Sequence, residues 1–116
     1  MENARVFLLE TYKGTMKMAI AVIKSKGHQV VLTANDYPQA QEACELLLDK
    51  KVNVAVIDSS RKYSQEIANL VKSVDSDIKI VAFGFYQEPE WGDNIPDAWV
   101  DKQINPIDLG KVITEI

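Results

Sequence analysis

A chain of 116 residues, 47% of them hydrophobic, has the size of one domain and the material for one core. Its formal net charge of −4 argues against direct nucleic-acid binding, which needs a basic footprint for the phosphates. The lone Cys44 excludes an internal disulfide and a cysteine metal cluster, and it reads as a small buried apolar residue.

Met1, Glu2, Asn3 and Arg5 precede a short apolar run, too brief for a secretion signal or a membrane span. A cytoplasmic location with no membrane partner is therefore expected. That run, residues 5–9, is the first predicted strand. Met16, Ala19, Ile20 and Ile23 then make a helical stripe, and Gly27 just after it suits a left-handed C-cap. His28, at the turn into the next strand, reads as a surface turn residue rather than a ligand. Residues 29–33 form the second strand, followed by a helix with Ala40, Ala43, Cys44 and Leu47 on one face. A third strand at 53–57 leads into the stripe of Ile67, Leu70, Val71 and Val74, and a fourth strand occupies 78–83.

Residues 86–96 break the pattern. Pro89, Gly92 and Pro96 fall there without helical periodicity, so the crossover is expected to be irregular and its helix eroded. A fifth strand at 98–100 precedes Asn105-Pro106, where Asn can cap and Pro suits the first helical turn. Leu109, Val112, Ile113 and Ile116 are the apolar stripe of that last helix. Several strands are continuously apolar, as in a parallel sheet buried on both faces. Alternating strands and helices imply right-handed βαβ units and a single α/β domain over residues 1–116, of the flavodoxin-like, doubly wound kind. The expected strand order is 2-1-3-4-5.

In such a sheet the ligand crevice lies beyond the carboxyl ends of the strands. Those ends carry Glu10-Thr11, Asp58-Ser59-Ser60, Gly84 and Asp101-Lys102. Glu10, Asp58 and Lys102 are the side chains that can converge there as two acids and one base.

These positions also carry a family resemblance. The segment Arg5-Val6-Phe7-Leu8-Leu9-Glu10-Thr11, continuing through the first helix to Gly27-His28-Gln29-Val30-Val31, resembles the opening of response-regulator receiver domains. Asn53-Val54-Ala55-Val56-Ile57-Asp58 is similar to their phosphoacceptor strand. Lys102-Gln103-Ile104-Asn105-Pro106-Ile107-Asp108-Leu109 is similar to their conserved-lysine motif. The resemblance covers nearly the whole chain. It implies Asp58 as the phosphoacceptor equivalent, a pocket of Glu10, Thr11, Gly84 and Lys102, Trp99 as the switch aromatic, and Mg²⁺ on Glu10 and Asp58.

Four departures point to a degenerate member. Thr11 stands where receivers carry a second acid, so any Mg²⁺ is expected to bind weakly. Gly84 lacks the hydroxyl that ends the fourth strand in receivers. A Pro-Gly loop is missing from Ser59-Ser60-Arg61-Lys62-Tyr63, and Gln103 replaces the proline after the lysine. Without a phosphoryl group, Lys102 can bridge Glu10 and Asp58 and hold the pocket shut. The resemblance then implies a non-enzymatic two-component signalling module that acts on a protein partner or an attached effector domain, or as a homodimer.

Phe85, Tyr86, Trp91 and Trp99 crowd the region where receivers make partner surfaces. They either pack over the sheet edge in place of the lost helix or present an aromatic anchor to another protein. Two other readings stay open: a working receiver phosphorylated at Asp58, and a cobalamin-binding domain. Glu10-Thr11-Tyr12-Lys13-Gly14 faintly resembles the cobalamin loop, with Tyr12 where the ligating His would stand.

Overall fold

Five apolar strands and the amphipathic helices between them can bury their faces only by stacking in layers. In the computed structural model, which describes residues 1–85 and 87–116, they make three. The elements are β1 (Arg5–Leu9), α1 (Lys13–Ser25), β2 (Gln29–Ala34), α2 (Tyr37–Cys44), β3 (Val54–Asp58), α3 (Ser64–Val74), β4 (Lys79–Gly84) and β5 (Ala98–Asp101). A 3₁₀ turn (Pro106–Asp108) then leads into α4 (Leu109–Glu115). The strands form one parallel sheet in the order β2-β1-β3-β4-β5, which is the expected fold class.

Period-two alternation along β1, β3, β4 and β5 divides the core. Phe7, Leu9, Ala55, Ile57, Ile80 and Ala82 pack with Ala40, Cys44, Ile67 and Val71 on the α2/α3 face. Val6, Leu8, Val56, Val81 and Phe83 pack with Ala19, Ile23, Leu109 and Ile113 on the α1/α4 face. Every residue of β3, the central strand, is buried. Gly27, at φ +86°, terminates α1 in the left-handed region as expected. Cys44 is buried, and burial pushes its thiol up to about 11.

Between β4 and β5 the described residues form no helix. Trp91 folds back instead and is buried in the α2/α3 core, only 5% exposed. It fills the lost helix's role in packing and is no exposed anchor. Tyr86 lies outside the described residues.

Three local expectations are corrected. Leu47 falls beyond the end of α2, in the turns that follow it, although it is fully buried. Asn105 does not cap the last helix; its side-chain amide donates to Asp108 at 3.2 Å. The preceding turn is organised around Asp101, whose Oδ1 accepts from the backbone N–H groups of Gln103 (2.7 Å) and Ile104 (3.2 Å). His28 is buried, not a surface residue. It closes the floor of the sheet: Nδ1 accepts from the Ala4 N–H at 3.0 Å and Nε2 lies 2.9 Å from the Thr114 hydroxyl. Because Nδ1 is an acceptor, the ring is neutral with its proton on Nε2. Burial lowers its pKa accordingly.

Candidate functional site

The sheet ladder delivers the site at the carboxyl ends of the strands: Asp58 is the last residue of β3, and Glu10 and Lys102 lie one residue past β1 and β5. Backbone bonds from Glu10 N–H to Ala34 C=O, Ser59 N–H to Phe83 C=O and Lys102 N–H to Gly84 C=O (2.8–3.1 Å) extend the pairing by one step at three neighbouring strand ends. Side chains that leave the ladder there point over its carboxyl rim. Glu10 and Asp58 are fully buried and Lys102 nearly so.

The Lys102 ammonium lies between both carboxylates. It donates to Glu10 Oε1, to Glu10 Oε2 at 2.8 Å, and meets Asp58 Oδ1 at 3.1 Å. Its charged end also sits 5.1 Å from the Phe83 ring centroid and 5.5 Å from that of Phe85, so two aromatic faces line its approach. The sequence-derived trio of Glu10, Asp58 and Lys102 is thus brought together.

Asp58 is held on both oxygens. Oδ2 accepts from the Thr11 hydroxyl at 2.9 Å and from the Thr11 backbone N–H at 3.4 Å. Oδ1 accepts from the Ser60 N–H at 2.9 Å and from the Ser60 hydroxyl. The Ser64 hydroxyl, in the first turn of α3, donates to the Asp58 carbonyl. Arg61 adds an outer layer: its Nε donates to the Thr11 hydroxyl oxygen at 3.1 Å, and its guanidinium carbon lies 5.3 Å from the centroid of the Tyr12 ring.

The two acids are consequently unequal. Burial pushes Glu10 up to about 7, against the lowering effect of Lys102. Burial also raises Asp58, but the Ser60 hydrogen bonds and the Lys102 charge outweigh it and hold that carboxyl below its ordinary value. One ammonium serving two carboxylates leaves an excess negative charge, and its cost falls on the less hydrogen-bonded acid, Glu10.

Gly84 leaves room that a neighbour has taken. A Cβ there would lie 1.8 Å from Ser59 Oγ, so the Ser59 side chain occupies the space above the end of β4. Trp99 is half-buried on β5 against the α2/α3 core, with its indole N–H unpartnered among the described residues. Phe85 is 37% exposed and Tyr12 52%.

Sequence reasoning did not pick out Ser60, Ser64 or Arg61. Asp58-Ser59-Ser60 did carry a signal: an Asp whose side chain bonds the N–H two residues on is the local turn such a triplet favours. Arg61 carried none, because its partner Thr11 is distant in sequence.

No family model matches the chain, and no curated protein matches it. Solved structures do. A LuxR-family two-component response regulator from Aurantimonas sp. SI85-9A1 superposes with a TM-score of 0.81 at 21% identity, over 98% of this chain and 84% of that one. Chemotaxis protein CheY4 of Vibrio cholerae gives 0.79 at 21% identity, over 97% and 98%. The signal receiver domain of the response regulator NarL from Mycobacterium tuberculosis gives 0.77 at 18% identity, over 99% and 96%. These identities speak to architecture: the chain has the CheY-like fold of response-regulator receiver domains.

Proposed function

We propose that this chain is a degenerate receiver of two-component type, a module that signals through contacts with a protein partner or an attached effector domain and not by phosphoryl transfer at Asp58. One observation carries the reading. The Lys102 ammonium bridges Glu10 and Asp58 inside the rim, and the remaining acceptor positions of Asp58 are taken by Thr11 and Ser60. An attacking carboxylate needs a free oxygen facing its phosphodonor, and here each oxygen already accepts hydrogen bonds.

The donor set also fails to fit Mg²⁺, which demands near-octahedral oxygen ligands and gives up water reluctantly. Both Glu10 oxygens are committed to Lys102, residue 11 contributes a neutral hydroxyl, and no group of three or more His, Cys, Asp or Glu among the described residues is suited to a metal.

The experiment is to incubate the protein with Mg²⁺ and a small acyl phosphate, then record intact mass and amide NMR spectra, with a parallel sample in beryllofluoride. Unchanged mass and spectra are expected. A phosphoryl adduct on Asp58 overturns the reading in favour of a working receiver. That second reading draws support from the lowered pKa of Asp58, which keeps its carboxyl in the nucleophilic, ionised form.

A further inference from the structure

Two buried carboxylates and one buried ammonium leave the inner pocket one positive charge short. A buried excess charge is costly unless something offsets it nearby. Arg61 is placed to do so. It is half-buried at the mouth, three residues beyond Asp58, and its Nε–H donates to the same hydroxyl oxygen that donates onward to Asp58 Oδ2. Asp58 therefore lies between two cations, Lys102 directly on Oδ1 and the guanidinium one hydroxyl away from Oδ2. Thr11 is the residue type this relay needs, because a hydroxyl accepts from one side while donating to the other. The Tyr12 ring steadies the guanidinium from the opposite loop.

We infer that Arg61 is the resident counter-cation of this pocket. Through Thr11 it supplies the second positive charge that the two carboxylates require, and it ties the loop after β3 to the loop after β1 without a metal ion. Arg61 is a positioning residue here, one step removed from Asp58. The inference rests on the closed-pocket reading but concerns cation choice only, so it is tested without phosphodonor or partner.

The test is thermal unfolding of Thr11→Asp and of Thr11→Asp combined with Arg61→Gln, each with excess chelator and with millimolar Mg²⁺. In the single variant Arg61 neutralises the new carboxylate, and Mg²⁺ leaves Tm unchanged. In the double variant three acids face one ammonium, and Mg²⁺ raises Tm saturably by about 5 °C or more. Equal responses in the two variants overturn the inference. Should the double variant stay unfolded in both buffers, Arg61→Gln and Arg61→Lys carry the test. The Tm deficit of Arg61→Gln should shrink between low and molar NaCl, because salt screens a charge effect at a half-exposed site. Arg61→Lys should recover most of the deficit at low salt. A deficit that is independent of salt and shared by both variants marks packing alone and overturns the inference.

Discussion

Lys102 serves two buried acids, and its loss and theirs are therefore unequal events. Lys102→Met keeps an unbranched apolar side chain but leaves both carboxylates without their ammonium. Breaking a buried pair from one side costs about 3–5 kcal/mol, and urea unfolding should read a loss of that size. Glu10→Gln removes the surplus negative charge and leaves Lys102 paired with Asp58, so its stability should stay within about 1 kcal/mol of the parent. A loss of several kcal/mol in Glu10→Gln would show that Glu10, and not Asp58, is the principal partner of the ammonium.

His28 gives the fold a pH dependence whose sign is fixed by its hydrogen bonds. The folded ring must be neutral for Nδ1 to accept from Ala4, and burial lowers its pKa below the ordinary 6.5. The unfolded chain therefore binds the extra proton first as pH falls, and stability present above 6.5 is lost progressively below it. His28→Gln lacks this titration. The gap in unfolding free energy between parent and His28→Gln should narrow as pH drops below 6.5, and a constant gap refutes the assignment.

Residues at strand ends were legible because a parallel sheet aims them at one rim, which is how Glu10, Asp58 and Lys102 stood out. Arg61 was not, since its role depends on which loop lies opposite.

At the level of elements, α2 shows what local sequence can specify. Asp36 accepts from the Gln39 N–H at 3.0 Å and Pro38 sits in the first turn, so cap and start are written in four residues. Asp36→Ala should lower stability by about 1 kcal/mol in chemical denaturation without altering the circular dichroism of the folded state. The C-terminal helix shows the opposite case. Asn105-Pro106 does start the helical path, as the 3₁₀ turn Pro106–Asp108 that runs into α4 at Leu109, but the chain leading to it is shaped by the Asp101 carboxylate, which accepts from the Gln103 and Ile104 N–H groups. Asp101 ends β5, and β5 is positioned by pairing with β4, so this organiser of the turn is placed by tertiary structure. The eroded crossover was legible in Pro89, Gly92 and Pro96. That Trp91 would turn inward was not, because the same bulky ring serves a core or an interface equally well.

Across the whole molecule, protection should follow the sheet. β3 is buried throughout and flanked by β1 and β4, whereas β2 and β5 each have one edge unpaired among the described residues. Native-state hydrogen exchange should therefore be slowest in β3, intermediate in β1 and β4, and fastest among strands in β2 and β5. Comparable rates in β2 and β3 would contradict a core centred on the middle strand. No helix among the described residues is long and apolar enough to cross a membrane.

By itself the sequence determined the architecture, because hydrophobic periodicity is local and βαβ units close in one hand. It also determined which three ionisable groups reach the rim, since strand direction sets where each strand ends. Tertiary structure alone decided how those groups pair, how His28 is satisfied and which loop hydroxyl links Arg61 to Asp58. Those outcomes depend on ångström-scale distances between segments tens of residues apart, and residue types carry no record of such distances until the chain has packed.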